Sequence, residues 1–492
     1  MPITVLGGTK VADTGFSVAN SCRFNTGDEP YMHKTLVTPT STKIGTLSVW
    51  WKEGVSPNNG SNMAVKGDVG VARFLMTSWG DANNHAAILI NSGNTIDLFQ
   101  YNTGYSSQLK VNALIRDVTA WQNLVFAWDT TQGTAANRNK IYINGKEQTY
   151  SVQTNYDEDD AVSWNAADYA LRVGQRNSNG WFDGYMAEVV LIDGTAYGPT
   201  SFGEFDEDSP TIWKPIDVSG LTFGNNGFYL DFEDSSNLGN DANGGTDLAE
   251  ENIAAVDQAT DTPTNNFCTM NPLYNATSSE FAFTQGNCEL TQNDSNWRTA
   301  SGTIGLTSGK WYFEAKGGQG TNGYTHLGWA STSWLTEKGV GSMLEPTTTH
   351  NGPAVTYYGY NGNNYYSTSS STGSNASYGD TWDNGDTISC YLDLDNNKAY
   401  WAKDGTVQNS GTGYSIESGF TWLPIVGGFD MDAGGESVKV NFGGCPATTI
   451  SSGNADTNSY GNFEFDPSAG TFDGSSKNFL AICTKNLGSD GG

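Results

Sequence analysis

The sequence predicts an all-β protein of two antiparallel β-sandwich domains in series, because one strand pattern occurs twice. Residues 124–129 are an apolar run that ends in an acid, and residues 140–146 follow as a tyrosine-bearing run with Asn-Gly. Further along the chain, residues 388–395 and 398–405 repeat this pattern with Asp-Gly. Asn-Gly and Asp-Gly supply the positive φ angles of tight hairpin turns, and apolar runs beside such turns are typical of paired strands.

The composition agrees with this fold class. The chain of 492 residues has 60 Gly, frequent Thr, Ser and Asn, and 15 Trp, 23 Tyr and 22 Phe. These residues suit short strands joined by tight turns and poorly suit helices. The length allows roughly two to four domains, each of which can bury its own core.

The charge excludes one large class of partner. The chain has 24 basic and 53 acidic side chains, a net charge of −29, whereas nucleic-acid binding depends on clustered Lys and Arg. The first twenty residues do not resemble a secretory signal, and no run of eighteen apolar residues could span a membrane. We therefore expect that the protein neither binds nucleic acid nor inserts into a membrane. If it works outside a cell, we expect it to leave by assembly into a particle or by lysis.

Strand signals recur at regular intervals in the first part of the chain. They include residues 45–54, 71–79, 85–91 and 171–175, and the block closes with an alternating segment at residues 180–194. Regular short strands separated by Asn, Gly and Asp are typical of a sandwich. We assign residues 1–203 to a first sandwich, 204–265 to an acidic Asn- and Gly-rich connector with one strand, 266–446 to a second sandwich and 447–492 to a C-terminal extension.

The first block resembles a known family. Its segments SVWWKEG, WQNLVFAWDT and WFDGYMAEVVLIDG, in that order, are similar to the laminin-G or concanavalin A-like jelly roll of bacteriophage tail and other virion proteins. The resemblance implies two curved antiparallel sheets with a lectin-like glycan or protein contact surface on the rim. The phrase NNGFYLDFEDSSNLGNDANG in the connector, followed by PTNNFCTMNPL, also resembles a junction that recurs in phage virion proteins.

The second block resembles a SPRY, or B30.2-like, domain. Five motifs occur in the order typical of that family, and the resemblance implies a binding module whose loops hold a partner without a cofactor. We expect the C-terminal extension to add one or two edge strands. The motifs are residues 308–316, 326–330, 356–363, 385–405 and 423–443.

No catalytic pattern emerges, so we predict no catalytic residues and no enzymatic activity. Glycoside hydrolysis needs two carboxylates about 5 to 9 Å apart. The nearest approach to the E-x-D-x-E motif of concanavalin-fold glycanases is Glu204, Asp206 and Asp208, which we read as a solvated loop. None of the four histidines stands in a nucleophile or metalloprotease motif. They are His33, His85, His326 and His350.

Calcium is the one cofactor that the sequence leaves open. Asp393 and Asp395 begin an EF-hand-like count, but the sixth position is Lys398 instead of the Gly that the loop needs. We therefore expect these acids to face water in a hairpin. A second acidic segment, the loop at residues 157–160, could bind calcium, as laminin-G relatives often do, or could be simply solvated. We call it the acidic loop. Its candidate ligands are Asp157, Asp159 and Asp160.

Aromatic residues are the better candidates for ligand binding. Tyrosines crowd the Gly- and Asn-rich segment YYGYNGNNYY, and exposed Tyr and Trp rings combine apolar faces with polar edges that suit sugar rings or protein contacts. Packing of these rings against a neighbouring strand or subunit is the alternative. The candidate ligand-binding residues are Tyr358, Tyr360, Tyr365, Tyr366, Trp334 and Trp181.

Together these patterns predict a structural protein on the tail or capsid surface of a bacteriophage virion, assembled in the host cytoplasm. Its predicted role is that of a tail fibre or tail-associated receptor-binding protein for host recognition, with other virion proteins and a cell-surface glycan or envelope protein as partners. A homo-oligomer, such as a trimer, fits a fibre. The alternatives are a capsid-decorating or head-fibre protein, a polysaccharide depolymerase, and a cellular adhesion protein.

Overall fold

The strands found in the structure are almost all antiparallel, which confirms the predicted all-β sandwich class. The computed structural model describes residues 4–5, 15–54, 72–273, 281–292, 295–318, 324–338, 352–370, 373–431 and 436–490. Val71, the first residue of the predicted segment 71–79, and His350 lie outside these ranges. The described residues form two compact units: an N-terminal unit within residues 15–264, and a C-terminal unit of residues 4–5 and those within 265–490.

The strands up to residue 259 belong to the N-terminal unit, except β1, which is assigned to the C-terminal unit. In chain order they are β1 (Thr4–Val5), β2 (Ser21–Phe24), β3 (Tyr31–Thr35), β4 (Ile44–Glu53), β5 (Arg73–Asp81), β6 (Asn84–Ile90), β7 (Thr95–Asn102), β8 (Tyr105–Leu114), β9 (Gln122–Asp129), β10 (Asn139–Ile143), β11 (Lys146–Glu147), β12 (Tyr150–Thr154), β13 (Ala170–Val173), β14 (Gly184–Asp193), β15 (Gly203–Phe205), β16 (Trp213–Pro215), β17 (Phe228–Leu230), β18 (Ala249–Glu251) and β19 (Gln258–Ala259).

Two eight-stranded sheets form the N-terminal sandwich. Sheet A has the order β11-β10-β9-β4-β14-β2-β19 with β17 beside β14, and sheet B has the order β12-β8-β7-β6-β5-β13-β3-β18. The core between them contains the fully buried rings of Trp51, Phe126, Trp128 and Trp164. Strands β9 and β10 pair as predicted, with Leu124 opposite Ile143.

The predicted connector belongs to this sandwich. It carries strands β16 to β19 and most of β15, instead of the single strand expected, and β17, β18 and β19 pair with β14, β3 and β2. A buried ion pair holds its last turn, because Lys52 Nζ lies 2.7 Å from Asp261 Oδ2 with both side chains 1% exposed. The compact unit therefore runs to Thr264, past the boundary predicted at residue 203.

The C-terminal unit contains the remaining strands and two short helices. They are β20 (Phe281–Thr284), β21 (Glu289–Gln292), β22 (Trp297–Ser301), β23 (Ile304–Gly305), β24 (Lys310–Gly317), β25 (Thr325–Ser331), α1 (Thr332–Lys338), β26 (Ala354–Tyr358), β27 (Asn363–Ser367), β28 (Ser374–Ser377), β29 (Thr387–Asp393), β30 (Lys398–Lys403), β31 (Thr406–Val407), β32 (Tyr414–Ser415), β33 (Trp422–Phe429), β34 (Val438–Asn441), β35 (Asn454–Ala455), β36 (Asn462–Phe463), β37 (Leu480–Ala481) and α2 (Thr484–Asp490).

These strands build a second sandwich. Sheet C has the order β20-β21-β34-β24-β29-β30-β31, with β32 beside β30 and β37 beside β24, and sheet D has the order β22-β33-β25-β26-β27-β28. The sheets meet where Phe313 packs edge-on against Trp329 at 5.1 Å and Trp401 Nε1 donates to the Leu327 carbonyl at 3.0 Å. Neither described helix is long and apolar enough to cross a membrane.

The C-terminal extension covers the outer face of sheet C. Phe463, Phe472 and Phe479 are fully buried there and form one cluster with the rings of Tyr312 and Tyr391. Its short strand β37 runs parallel to β24, with Trp311 opposite Leu480. The segment therefore adds the short strand β37 to sheet C, in line with the expected one or two strands, and its rings also close a second core.

Candidate functional site

Sheet D presents an aromatic surface on the side that faces away from the core. Because side chains alternate along a strand, Leu327 and Tyr357 point into the core, whereas their neighbours His326 and Tyr358 point outward and lie directly opposite each other. We call the outward group the aromatic surface. Its members are Trp297, Tyr324, His326, Tyr358, Tyr360, Tyr365 and Phe429.

The centre of the aromatic surface is a stacked pair. The rings of His326 and Tyr358 lie 4.0 Å apart and 19° from parallel. Tyr365 meets both rings edge-on, at 5.1 Å from His326 and 5.2 Å from Tyr358. Edge-on and offset contacts of this kind are the favoured arrangements of aromatic rings, so the centre is held in one geometry before a ligand arrives.

The rim of the aromatic surface is more open. Trp297 lies 5.6 Å from Phe429, and Tyr324 lies 5.4 Å from Tyr360. Tyr360 is 57% exposed, while Trp297, Tyr324 and Phe429 are half-buried. The rim therefore offers ring faces and the Tyr360 hydroxyl to a ligand.

The aromatic surface carries no charge of its own at neutral pH. Burial lowers the pKa of His326 to about 3, so its imidazole is neutral. Its Nδ1 lies 2.9 Å from the hydroxyl of Thr356. Burial, reinforced by the neighbouring tyrosines, raises the pKa of Tyr358, which keeps its hydroxyl protonated. The centre of the aromatic surface therefore offers ring faces and neutral hydrogen-bonding groups.

The structure brings together three of the six predicted ligand-binding residues. Tyr358, Tyr360 and Tyr365 lie in the aromatic surface, whereas Tyr366 packs against Tyr414 at 4.7 Å. The assignment of Trp334 to a binding role needs correction. Helix α1 presses this ring against the sheet, where it is 0% exposed among apolar side chains.

The remaining candidates lie in the N-terminal unit. Trp181 is half-buried. In the acidic loop, Asp159 pairs with Lys43 at 2.8 Å, and the Asp160 carbonyl accepts a hydrogen bond from Thr130 Oγ1 at 2.7 Å. Within the described ranges, no group of three or more His, Cys, Asp or Glu side chains is arranged to hold a metal ion. Calcium binding by Asp157, Asp159 and Asp160 stays a prediction.

Two acidic segments considered as candidate sites, around Asp206 and Asp393, form hydrogen bonds and ion pairs within the protein. Asp206 accepts the backbone N–H groups of Asp208 and Ser209 and pairs with Lys214 at 3.3 Å, so it shapes a turn. Asp393 does not face water, contrary to expectation. Its side chain is 0% exposed and pairs with Lys477 at 2.7 Å.

Sequence reasoning missed four members of the aromatic surface. Trp297 opens β22, Tyr324 precedes β25 and Phe429 ends β33, so each stands alone in its own stretch of sequence. His326 was expected to be a core or edge residue. Only the strand register places these four beside the tyrosines, and no local motif records that register.

The geometry defines the C-terminal unit as an antiparallel β-sandwich that displays an uncharged aromatic surface. The sequence assigns it more narrowly. Residues 310–444 match the model of the SPRY domain family, so the chain contains a SPRY domain in its C-terminal region, as the resemblance implied. None of the curated proteins matches the chain significantly.

Several solved structures are similar to parts of the chain. The SPRY domain of human HERC1 is 21% identical and covers 33% of this chain and 89% of its own, with a TM-score of 0.24. A heptameric SAP-like pentraxin from Limulus polyphemus is 13% identical over 37% of this chain and 79% of its own, with a TM-score of 0.24. Domain 4 of an arabinanase from Geobacillus stearothermophilus, in complex with arabinotriose, is 14% identical over 39% and 82%, with a TM-score of 0.26.

Proposed function

We propose that this protein is a non-catalytic binding protein of a bacteriophage virion, part of a tail fibre or the tail-associated host-recognition apparatus. Its target is a cell-surface glycan or envelope protein of the host. The observation that carries the binding role is the aromatic surface, in which seven rings from five stretches of the chain contact one another.

The arrangement of the rings supports binding by stacking. Tyr360 and the half-buried Trp297 and Tyr324 present ring faces, which suit the apolar face of a sugar ring or an apolar side chain. Aromatic anchors have few rotatable bonds, and ring contacts already fix these, so little side-chain entropy is lost on binding. Tyr and Trp are also the residues that dominate binding energy at protein contacts.

The virion location rests on sequence resemblance alone. The junction around residues 225–244 and the laminin-G-like order of the first block both resemble phage virion proteins. Many weak sites on one particle bind far more tightly than one, because linked sites raise the effective concentration. A homo-oligomer such as a trimer would supply this repetition within a fibre.

Binding of the labelled full chain to candidate host cells and their surface polysaccharide tests this proposal. We compare Tyr360→Ala with Tyr460→Ala, because Tyr460 is another exposed tyrosine of the same unit at 36% exposure. Loss of one aromatic anchor costs about 1 kcal/mol, or roughly fivefold in affinity. We expect Tyr360→Ala to weaken binding by that factor and Tyr460→Ala to leave it unchanged.

Three other outcomes would contradict the proposal. Equal affinity of the Tyr360→Ala and unaltered chains would place the binding site elsewhere. New reducing ends in the polysaccharide would show a depolymerase. Binding to purified capsids without binding to host cells would identify a capsid-decorating or head-fibre protein.

A further inference from the structure

A second group of aromatic rings lies on the N-terminal unit, on the side of sheet B that faces away from the core. Along β6 and β7, Ile88 and Leu98 point into the core. His85 and Tyr101 each lie three residues away on the same strand, and because side chains alternate, they point outward. The register places Trp79 opposite His85, and His85 opposite Tyr101. These three rings therefore form one row across adjacent strands.

The rings of this row contact one another, and accessibility rises towards its ends, since the central His85 is buried. Trp79 lies 4.5 Å from His85, and His85 lies 5.5 Å from Tyr101. Tyr105 continues the row at 5.5 Å from Tyr101 and is 58% exposed. Trp79 and Tyr101 are half-buried. The row thus offers a platform of ring faces.

Two arginines border the platform, and aromatic rings fix both of them. The Arg176 guanidinium lies over the rings of Trp79 and Phe74, at 5.6 and 5.8 Å from their centres. The Arg172 guanidinium lies 5.3 Å above Tyr31. Stacking on a ring face leaves the edge of a guanidinium, with its N–H donors, directed away from the ring. On Arg172, Nη1 donates to the Gln175 side-chain oxygen at 2.9 Å.

These arginines differ from the other basic side chains of the same face. Lys110 pairs with Asp97 at 3.3 Å and His33 lies 3.6 Å from Glu251. Among the described residues, no carboxylate lies within ion-pair distance of Arg172 or Arg176. In a chain with a net charge of −29, two guanidiniums that flank β5 on one face without a carboxylate partner are an unusual concentration of positive charge.

Buried polar atoms without partners cluster at the same place. Thr77, which the register sets directly opposite Arg172, is 0% exposed, and its hydroxyl has no hydrogen-bond partner. His85 is 3% exposed, and its Nδ1 is likewise unpartnered. The buried Nε atoms of Arg172 and Arg176 also lack partners. Buried polar groups are nearly always satisfied, so this cluster points to a polar ligand.

We infer that this arginine–aromatic face, comprising Phe74, Trp79, His85, Tyr101, Arg172 and Arg176, binds an acidic saccharide. A carboxylate matches the fork of N–H donors on a guanidinium, with which it forms two parallel hydrogen bonds. The sugar ring to which the carboxylate is attached packs against the exposed parts of Trp79 and Tyr101, beside the guanidinium that lies over Trp79. The site belongs to a different unit from the aromatic surface, so it stands independently of the proposed function.

Calorimetric titration of the full chain with trigalacturonate and 3′-sialyllactose tests this inference. Methyl-esterified trigalacturonate and lactose are the neutral counterparts. We expect both acidic probes to bind, the neutral counterparts to bind at least tenfold more weakly, and added salt to weaken the acidic probes. Arg172→Gln and Arg176→Gln should each lower the affinity at least tenfold.

The control variants separate a site from a general effect of charge. Arg116→Gln removes the same charge from an exposed loop residue and should leave the affinity unchanged, as should Tyr360→Ala in the other unit. Circular dichroism checks that each variant is folded. The inference is overturned if neither acidic probe binds at millimolar concentration, if the neutral counterparts bind equally well, or if Arg116→Gln weakens binding as much as the other two variants.

Discussion

Replacing Lys52 by Met tests whether the ion pair with Asp261 holds the segment before the C-terminal unit in place. Both side chains are 1% exposed and the charged atoms are 2.7 Å apart. Removal of one partner of a buried pair costs about 3–5 kcal/mol, because the other charge stays buried without its counter-ion. Trp121 Nε1 donates to the same carboxylate at 2.9 Å, but this neutral donor does not replace the positive charge of Lys52. For a unit of about this size, the loss lowers the melting temperature by roughly 6–20 °C.

The assay must report on the two units separately, since a chain with two units need not unfold in one step. Hydrogen exchange measured by mass spectrometry during urea denaturation follows peptides from β4 and from β29. Lys52→Met should shift the β4 transition alone. The matched control is Lys43→Met, whose pair with Asp159 is 37% and 62% exposed and contributes about 0–1 kcal/mol. A loss for Lys52→Met no greater than for Lys43→Met would refute the reasoning.

Two further predictions concern pH. Burial raises the pKa of Glu53 to about 8, and both carboxylate oxygens lack hydrogen-bond partners, so the folded state keeps a proton that the unfolded chain releases near its ordinary value of 4.5. Stability is therefore lost as pH rises from about 4.5 to 8, by about 1.4 kcal/mol per pH unit for this group. Urea denaturation of Glu53→Gln should show a smaller loss than the unaltered chain, and the remaining loss includes that from Glu188, whose pKa burial also raises to about 8; an unchanged pH profile would contradict the prediction. Because His326 titrates only near pH 3, ligand affinity at the aromatic surface should be constant between pH 5 and 8, and a change of tenfold across this range, measured by titration calorimetry, would show that another group controls binding.

The sequence predicted the strands better than the faces they present. The hairpin turn at Asn144 and Gly145 was recognisable in the sequence because few residue pairs tolerate two positive φ angles. In the structure these residues adopt φ angles of 48° and 74°. The alternation rule failed for β14, all ten residues of which are buried. Residues of the predicted connector, such as Phe223 and Tyr229, cover its outer side, and no local pattern could indicate that cover.

The candidate sites show the same limit. Tyr358, Tyr360 and Tyr365 were recognised because they lie close together in the sequence, whereas Trp297 and Phe429 were missed because only pairing of β22 with β33 brings them together. Trp334 was misjudged because a ring in a polar stretch gives no sign that a short helix will bury it. Arg172 and Arg176 were missed for the same reason, because the rings that they contact, such as Tyr31 and Trp79, lie on other strands.

The C-terminal extension covers sheet C, and this determines how long a fragment must be to contain the complete SPRY domain. The SPRY match ends at residue 444, yet Phe472 and Phe479 fill the core against Tyr391 and Tyr400. A fragment cut at the end of the match would expose those two tyrosine rings to water and invite aggregation. The piece that can be transplanted intact between proteins is therefore longer than the family pattern, and it extends at least to β37.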